Sequence, residues 1–163
     1  MDILQIPNNI DRQPSDRAKA QPFLKWAGGK RQLLPAIRAY LPAKYTEYYE
    51  PFIGAGAVLF ALQPTKCTIN DTNSELVNCY QVIKDKPLEL LELCLQHQKN
   101  NSKEYFYQLR QQDRQPKFSR RAPVERAARI IYLNKTCFNG LFRVNKRGQF
   151  NVPYGKYKNP KVA

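Results

Sequence analysis

The sequence predicts an α/β fold in its first half on three observations. Two short runs of β-forming residues, "KYTEYYEPF" and "KCTIND", are each followed by an apolar run of helical period, and a glycine turn stands between the first strand and its helix. Strand, helix, strand, helix at this spacing implies a partial parallel sheet joined by right-handed crossovers. Helical runs and a hairpin then follow as an insertion.

Residues 1–21 are polar, contain Pro7 and Pro14 and show no apolar period, which predicts a disordered leader. "PFLKWAGGKRQLLPAIRAYLP" combines a Gly-Gly turn with Leu33, Leu34, Ile37 and Leu41 on one helix face, so a loop leads into a helix that stops near Pro42. The first strand ends at Pro51, and Gly54-Ala55-Gly56 opens the helix "AVLFAL". After the second strand, "SELVNCYQVIKD" places Leu76, Val77, Tyr80 and Ile83 on one face. Two strands alone leave a sheet with an unpaired edge. From Pro87 the pattern is helical in "PLELLELCLQHQ", "SKEYFYQLRQQ" and "APVERAARIIYLN", the last with Pro123 in its first turn. Two β-prone runs, "LFRVN" and "QFNVP", then flank Gly148 as a hairpin. The organisation expected is a leader over 1–21, a first portion over 22–86 and a helical and hairpin region over 87–163.

At 163 residues with 42% hydrophobic content the chain is long enough for one domain with a real core. No run approaches the roughly 20 apolar residues of a membrane span, and the N-terminus has no signal-peptide pattern, so the expected location is the cytoplasm, with no membrane partner. Cys67, Cys79, Cys94 and Cys137 form no C-x-x-C pair and His97 is the single histidine, which argues against a metal site and for reduced structural thiols. His97 lies on a helical run and reads as a surface or packing residue.

Charge is unevenly placed. Residues 1–100 carry 12 Lys and Arg against 10 Asp and Glu, whereas residues 101–163 carry 15 against 3. A basic segment interleaved with Tyr105, Phe106, Tyr107, Phe118, Phe138, Phe142, Phe150, Tyr154 and Tyr157 suits a phosphate backbone with rings near bases, in preference to an anionic lipid surface.

Two stretches carry candidate chemistry. "EPFIGAG", residues 50–56, has the G-x-G of a nucleotide-binding turn without the third glycine of the dinucleotide fingerprint, and Asp71 follows Gly54 by 17 residues at the end of the next strand. A carboxylate there can accept both hydroxyls of a ribose; a tight turn followed by a helix-capping Asp explains the same residues equally well. "FLKWAGGK", residues 23–30, places Trp26 where it can pack beside a purine and Lys30 where it can reach an anion. Arg31 follows Lys30, so the G-x-x-x-x-G-K-[ST] loop of an ATPase is absent.

Taken in order, "FLKWAGGK", "EPFIGAGAVLF", "INDTNSELVNCY" and "YLNKTCFNGLFRVNKRGQFNVPYGKYKNP" resemble the adenine-specific DNA methyltransferases of the Dam family, from about Phe23 to Pro160. The resemblance implies a Rossmann-like methyltransferase domain with a helical and β-hairpin DNA-recognition insertion. It also implies S-adenosyl-L-methionine as cofactor and methyl transfer to the exocyclic amine of adenine in double-stranded DNA. Carried over by position, it implies Trp26, Lys30, Phe52, Gly54, Gly56 and Asp71 at the cofactor. It implies Lys25, Phe138, Asn139, Leu141, Arg143, Pro153 and Tyr157 at DNA. Phe138 and Asn139 would enter the duplex beside a flipped base, an extrusion that costs roughly a few kcal/mol, and Arg143 would read a guanine edge. Relatives with an Asn-Gly-Leu-x-Arg pattern suggest GATC as the target.

The family's catalytic Asp-Pro-Pro-Tyr is absent, since the chain has 12 prolines and no Pro-Pro dipeptide. "NVPY", residues 151–154, looks like a variant of it, but Val152 stands in place of the first proline and the flanking residues match the recognition hairpin. The chain therefore reads as a truncated N-terminal part of such an enzyme, inactive alone: a fragment from a broken or split gene is favoured over completion by a complementary C-terminal polypeptide as partner. The competing readings are a basic DNA-binding module whose glycine turn is only structural, and an RNA methyltransferase, which leaves "CFNGLFR" unexplained.

Overall fold

The computed structural model describes residues 4–6 and 20–163, and its contacts divide the chain into two compact units. The first contains Gly28–Val77 with the described residues up to Phe23; the second contains Leu24–Ala27 and Asn78–Ala163. Most of the expected leader lies outside the described residues. Within it, Leu4–Ile6 forms a strand, β1.

In the first unit the two sequence-predicted strands are Tyr48–Glu50 (β2) and Cys67–Ile69 (β3), and they pair in parallel with Tyr48 opposite Cys67 and Glu50 opposite Ile69. The crossover between them is the short helix α2, Ala57–Leu62. The open-edged two-stranded sheet expected from sequence is corrected by β1, which pairs antiparallel with β3 and makes the order β1-β3-β2. A three-residue strand is too short for alternation to reveal it. Helix α1, Leu34–Tyr40, follows a 3-10 turn over Lys30–Leu33. Leu33 is 56% exposed instead of sharing the face of Leu34, Ile37 and Leu41, because the tighter 3-10 turn carries it out of phase with the helix that begins one residue later.

Helix α3, Ser74–Asp85, begins in the first unit, where the Leu76 amide donates to Asn73 Oδ1 at 3.0 Å as an N-terminal cap. Its remaining turns belong to the second unit with α4 (Pro87–Lys99), α5 (Lys103–Gln111) and α6 (Pro123–Thr136). These are the predicted helices. Helix α6 is the core of the unit, packed against α4 and α5, and residues 127–134 along it are all buried. Cys67, Cys79, Cys94 and Cys137 are buried thiols, and burial pushes those of Cys94 and Cys137 up to about 11. His97 packs as read: Nδ1 lies 2.7 Å from Tyr105 Oη, its ring is 5.5 Å from that of Tyr132, and burial lowers its pKa.

One buried charge in α6 organises the chain on both sides of that helix. Arg129 is 2% exposed; its Nε donates to the Leu109 carbonyl at 2.7 Å and its Nη2 to the Arg110 carbonyl at 2.9 Å, adding a second donor at each, since the Gln112 amide also reaches Leu109 and Arg114 Nη1 also reaches Arg110. The same Nη2 lies 2.9 Å from Asp113 Oδ2. That oxygen also accepts from the Phe150 amide at 2.8 Å, while Arg114 Nη2 donates to the Phe150 carbonyl and Arg110 Nη1 to that of Val152. The predicted hairpin is reduced to isolated bridges, Val144 with Phe150 and Cys137 with Tyr154. The Asn145 amide donates to the Gln149 carbonyl and the Asn151 amide to the Arg143 carbonyl, Pro153 has no amide to extend the ladder, and at the turn Asn145 Oδ1 accepts from the amides of Arg147 and Gln149.

Replacing Arg129 by Met removes its donors to Asp113, Leu109 and Arg110 while Arg114 Nη1 stays 2.6 Å from Asp113 Oδ1, and urea denaturation should show a loss of about 1.5–3 kcal/mol. The folded-state pKa of His97 lies below its ordinary value of 6.5, so the unfolded chain binds the extra proton first. Stability is therefore full above about pH 6.5 and declines as the pH falls toward the folded-state pKa. The urea midpoint followed from neutral to acidic pH should carry this component in the wild type and lose it in His97→Gln.

Candidate functional site

In the first unit the parallel ladder continues past its named strands. The Asn70 amide donates to the Glu50 carbonyl at 2.9 Å and the Ile53 amide to the Asn70 carbonyl at 2.8 Å, which sets two loops side by side at the carboxyl ends of β2 and β3. Open parallel sheets place ligands at such a position. Gly54 and Gly56 have φ of +52° and +75°, a region costly to residues with a Cβ; Gly54 is half-buried, and Gly56 is buried with its amide donating to the Ile53 carbonyl at 2.9 Å. Asp71 joins the two loops: Oδ2 accepts from the Gly54 amide at 2.9 Å and Oδ1 from the Asn73 amide at 3.0 Å. Each oxygen retains a second lone pair for a further donor.

Lys30 does not stand as an isolated cation. Its Nζ lies 3.0 Å from Glu50 Oε1 and also donates to the Phe52 carbonyl. Glu50 is 5% exposed and also accepts from Tyr48 Oη at 2.8 Å, and a carboxylate so buried needs a counter-charge. Burial first, and then the Glu50 charge, raise the pKa of the Cys67 thiol. Sequence reasoning gives Glu50 no role, although an acid ending an otherwise aromatic strand is a visible signal. Phe52 is 66% exposed at the same turn. Lys30, Phe52, Gly54, Gly56 and Asp71 are thus neighbours in one unit, and a glycine turn, an exposed ring and a carboxylate with spare lone pairs fit a nucleoside-bearing cofactor. Trp26 belongs to the second unit, where its indole stacks on Phe142 with ring centroids 4.5 Å apart.

In the second unit α6 ends at Thr136 and the chain enters a tight turn, Phe138–Gly140. Asn139 and Gly140 have φ of +55° and +63°. The turn is bound to the returning chain by the Phe138 amide, which donates to the Pro153 carbonyl at 2.9 Å, and by the Gly155 amide, which donates to the Thr136 carbonyl at 2.8 Å. Phe138, Asn139, Leu141, Arg143, Pro153 and Tyr157 are all exposed. Arg143 is held by Asn151, with Nε donating to Oδ1 at 2.8 Å, which leaves part of its donor fork for another acceptor.

Lys25, distant in sequence, joins this group. A Cβ built on Gly140 would stand 2.4 Å from Lys25 Cδ, so the lysine stem lies directly over the turn. Desolvation, and next the Lys25 charge, lower the pKa of Lys135 in the last turn of α6. Two neighbouring lysine charges of this kind suit an anion. Asn134 Oδ1 accepts from the Lys25 amide, and its Nδ2 donates to the carbonyls of both Lys25 and Gly140, each at 2.9 Å. An Asn within the apolar run "ARIIYLN" is its only signal in sequence. Among the described residues no group of three or more His, Cys, Asp or Glu side chains is placed to hold a metal ion, and no helix is long and apolar enough to cross a membrane. Gly140→Ala should cost roughly 1–2 kcal/mol in urea denaturation, from its positive φ, and should displace the Lys25 stem.

Residues 26–163 match the family model of the D12 class N6 adenine-specific DNA methyltransferases. The chain is 55% identical over 148 residues to a type II methyltransferase of Lactococcus lactis subsp. cremoris, covering 91% of this chain and 52% of that protein. It is 45% identical over 162 residues to a type II methyltransferase of Methanocaldococcus jannaschii, covering 88% and 55%. With the DNA adenine methylase of Escherichia coli (strain K12) it shares 39% identity over 144 residues, covering 87% and 50%. The chain spans about half the length of the curated relatives it matches. The resemblance read from four ordered motifs is borne out, and the chain belongs to the D12 class N6 adenine-specific DNA methyltransferase family.

Proposed function

We propose that this chain supplies the cofactor-binding and DNA-recognition portions of a site-specific DNA adenine methyltransferase of the cytoplasm, with S-adenosyl-L-methionine as methyl donor and GATC in duplex DNA as its target. One observation carries the reading: Lys25 lies over the turn that exposes Phe138 and Asn139, although over a hundred residues separate them. Convergence of a cation, an exposed ring and an exposed amide suits entry into a duplex, where the ring stacks and the amide pairs with the base left behind. Leu141 and Arg143 continue along the chain as readers of base edges, and Pro153 and Tyr157 border them.

In the first unit Asp71 directs its remaining lone pairs to the ribose hydroxyls, Gly54 and Gly56 admit the cofactor to the backbone, and Phe52 packs on it. Lys30 holds the base of that turn through Glu50. S-adenosyl-L-methionine, when bound, supplies an electrophilic methyl group. None of the 163 residues is assigned to catalysis, because none forms Asp-Pro-Pro-Tyr.

Isothermal calorimetry with S-adenosyl-L-methionine and fluorescence anisotropy with a GATC duplex test the two portions separately. Asp71→Asn, which keeps one acceptor for the loop amides, should weaken the cofactor roughly tenfold, the loss of about one hydrogen bond to a charged group. Arg143→Ala should cost about 1–3 kcal/mol on the GATC duplex. A folded chain that binds duplex and ignores the cofactor would be a DNA-binding module instead.

A further inference from the structure

We propose that Asn134 is a positioning residue for DNA recognition: its buried carboxamide clamps the Lys25 backbone to the turn after α6, and so sets the geometry in which Lys25, Phe138 and Asn139 meet a duplex. The inference rests on the DNA-binding reading above.

Asn134 is 1% exposed. Its carboxamide pairs with Lys25 as one strand pairs with another, accepting from the amide and donating to the carbonyl of the same residue, each at 2.9 Å. The second Nδ2 hydrogen goes to the Gly140 carbonyl at 2.9 Å. One side chain therefore satisfies three backbone groups, and the Lys25 segment it reaches is 109 residues away along the chain. Asparagine alone meets this demand: aspartate lacks both donors, glutamine is one methylene too long for a packed site, and alanine or serine leaves at least two of the groups unpaired.

Two further contacts tie the same segments. Trp26 stacks on Phe142 at 4.5 Å, and Gly140 has no Cβ where the Lys25 stem passes. Leucine could fill the volume but would leave the three backbone groups unpaired. The directional amide is spent instead on two irregular segments, one carrying the Lys25 cation and the other the exposed Phe138 and Asn139. Sequence discrimination requires side chains held to within about an ångström of the base edges, whereas attraction to phosphates does not. Loss of the clamp should therefore degrade discrimination more than total affinity.

The test uses the whole chain, wild type and Asn134→Ala, with Asn134→Ser as the milder variant should the first fail to fold. Amide hydrogen exchange reports the clamp without any ligand. Exchange should accelerate at Lys25, Gly140 and Leu141 and stay unchanged in α4 and α5. Anisotropy with a GATC duplex and with a duplex of the same length lacking GATC reports the consequence. The GATC affinity should fall about tenfold or more while the other stays within about twofold. Unchanged exchange at Lys25 and Gly140 overturns the clamp. Accelerated exchange with an unaltered ratio of the two affinities overturns the positioning role. A wild type that binds neither duplex overturns the DNA-binding reading and this inference with it, and the exchange data distinguish that failure from the first.

Discussion

The second unit depends on one buried guanidinium. Arg129 sits in the middle of α6 and its pairing with Asp113 is shielded from water, which makes a charge there costly unless every neighbouring group is satisfied. The satisfaction is achieved with backbone: the last carbonyls of α5 below it, and, through Asp113, Arg114 and Arg110, the amide and carbonyl of Phe150 and the carbonyl of Val152. A hydrophobic residue at 129 could fill the volume, but it would remove two donors from the end of α5 and leave Asp113, which holds the Phe150 amide, to Arg114. The chain returning from the hairpin is what receives the Phe138 amide and so fixes the turn at which DNA is proposed to be read.

The same device recurs wherever regular secondary structure runs out. Asp71 holds the glycine turn against the loop after β3, Asn134 holds Lys25 against the turn after α6, and Asn145 closes the hairpin on itself. In each case a short acceptor-bearing side chain replaces hydrogen bonds that a helix or ladder would have supplied. Such segments gain a fixed shape while leaving their outward side chains uncommitted. That combination suits surfaces that must present groups to a cofactor or to bases, since ordering those groups before binding lowers the entropic cost at the moment of binding.

Much of this was legible in the sequence. The helical periods around Leu90, Phe106 and Ile130 marked α4, α5 and α6, the β-forming runs marked β2 and β3, and the ordered motifs marked the family. What stayed hidden is of one kind. Strand β1 has three residues and no neighbour in sequence to suggest its partner. Lys30 reads as a cation available to an anion because nothing local shows that Glu50, twenty residues on, will be buried beside it. The stacking of Trp26 on Phe142 is likewise a long-range contact with no local signal. Asp113 is one of 3 acids in a segment with 15 bases, a rarity that marks it in retrospect as an internal counter-ion. Periodicity reports local burial, whereas pairing of polar side chains across the chain requires the fold.

The proposed division of labour has the glycine turn of the first unit answer to the cofactor and the turn after α6 answer to DNA. Amide chemical-shift mapping of the labelled chain, titrated separately with S-adenosyl-L-methionine and with a GATC duplex, tests it most directly. The cofactor should move the amides of Gly54, Gly56 and Asn73, and the duplex should move those of Lys25 and residues 138–143. Duplex-induced shifts confined to the basic stretch around Arg120 and Arg121, with residues 138–143 unmoved, would contradict it.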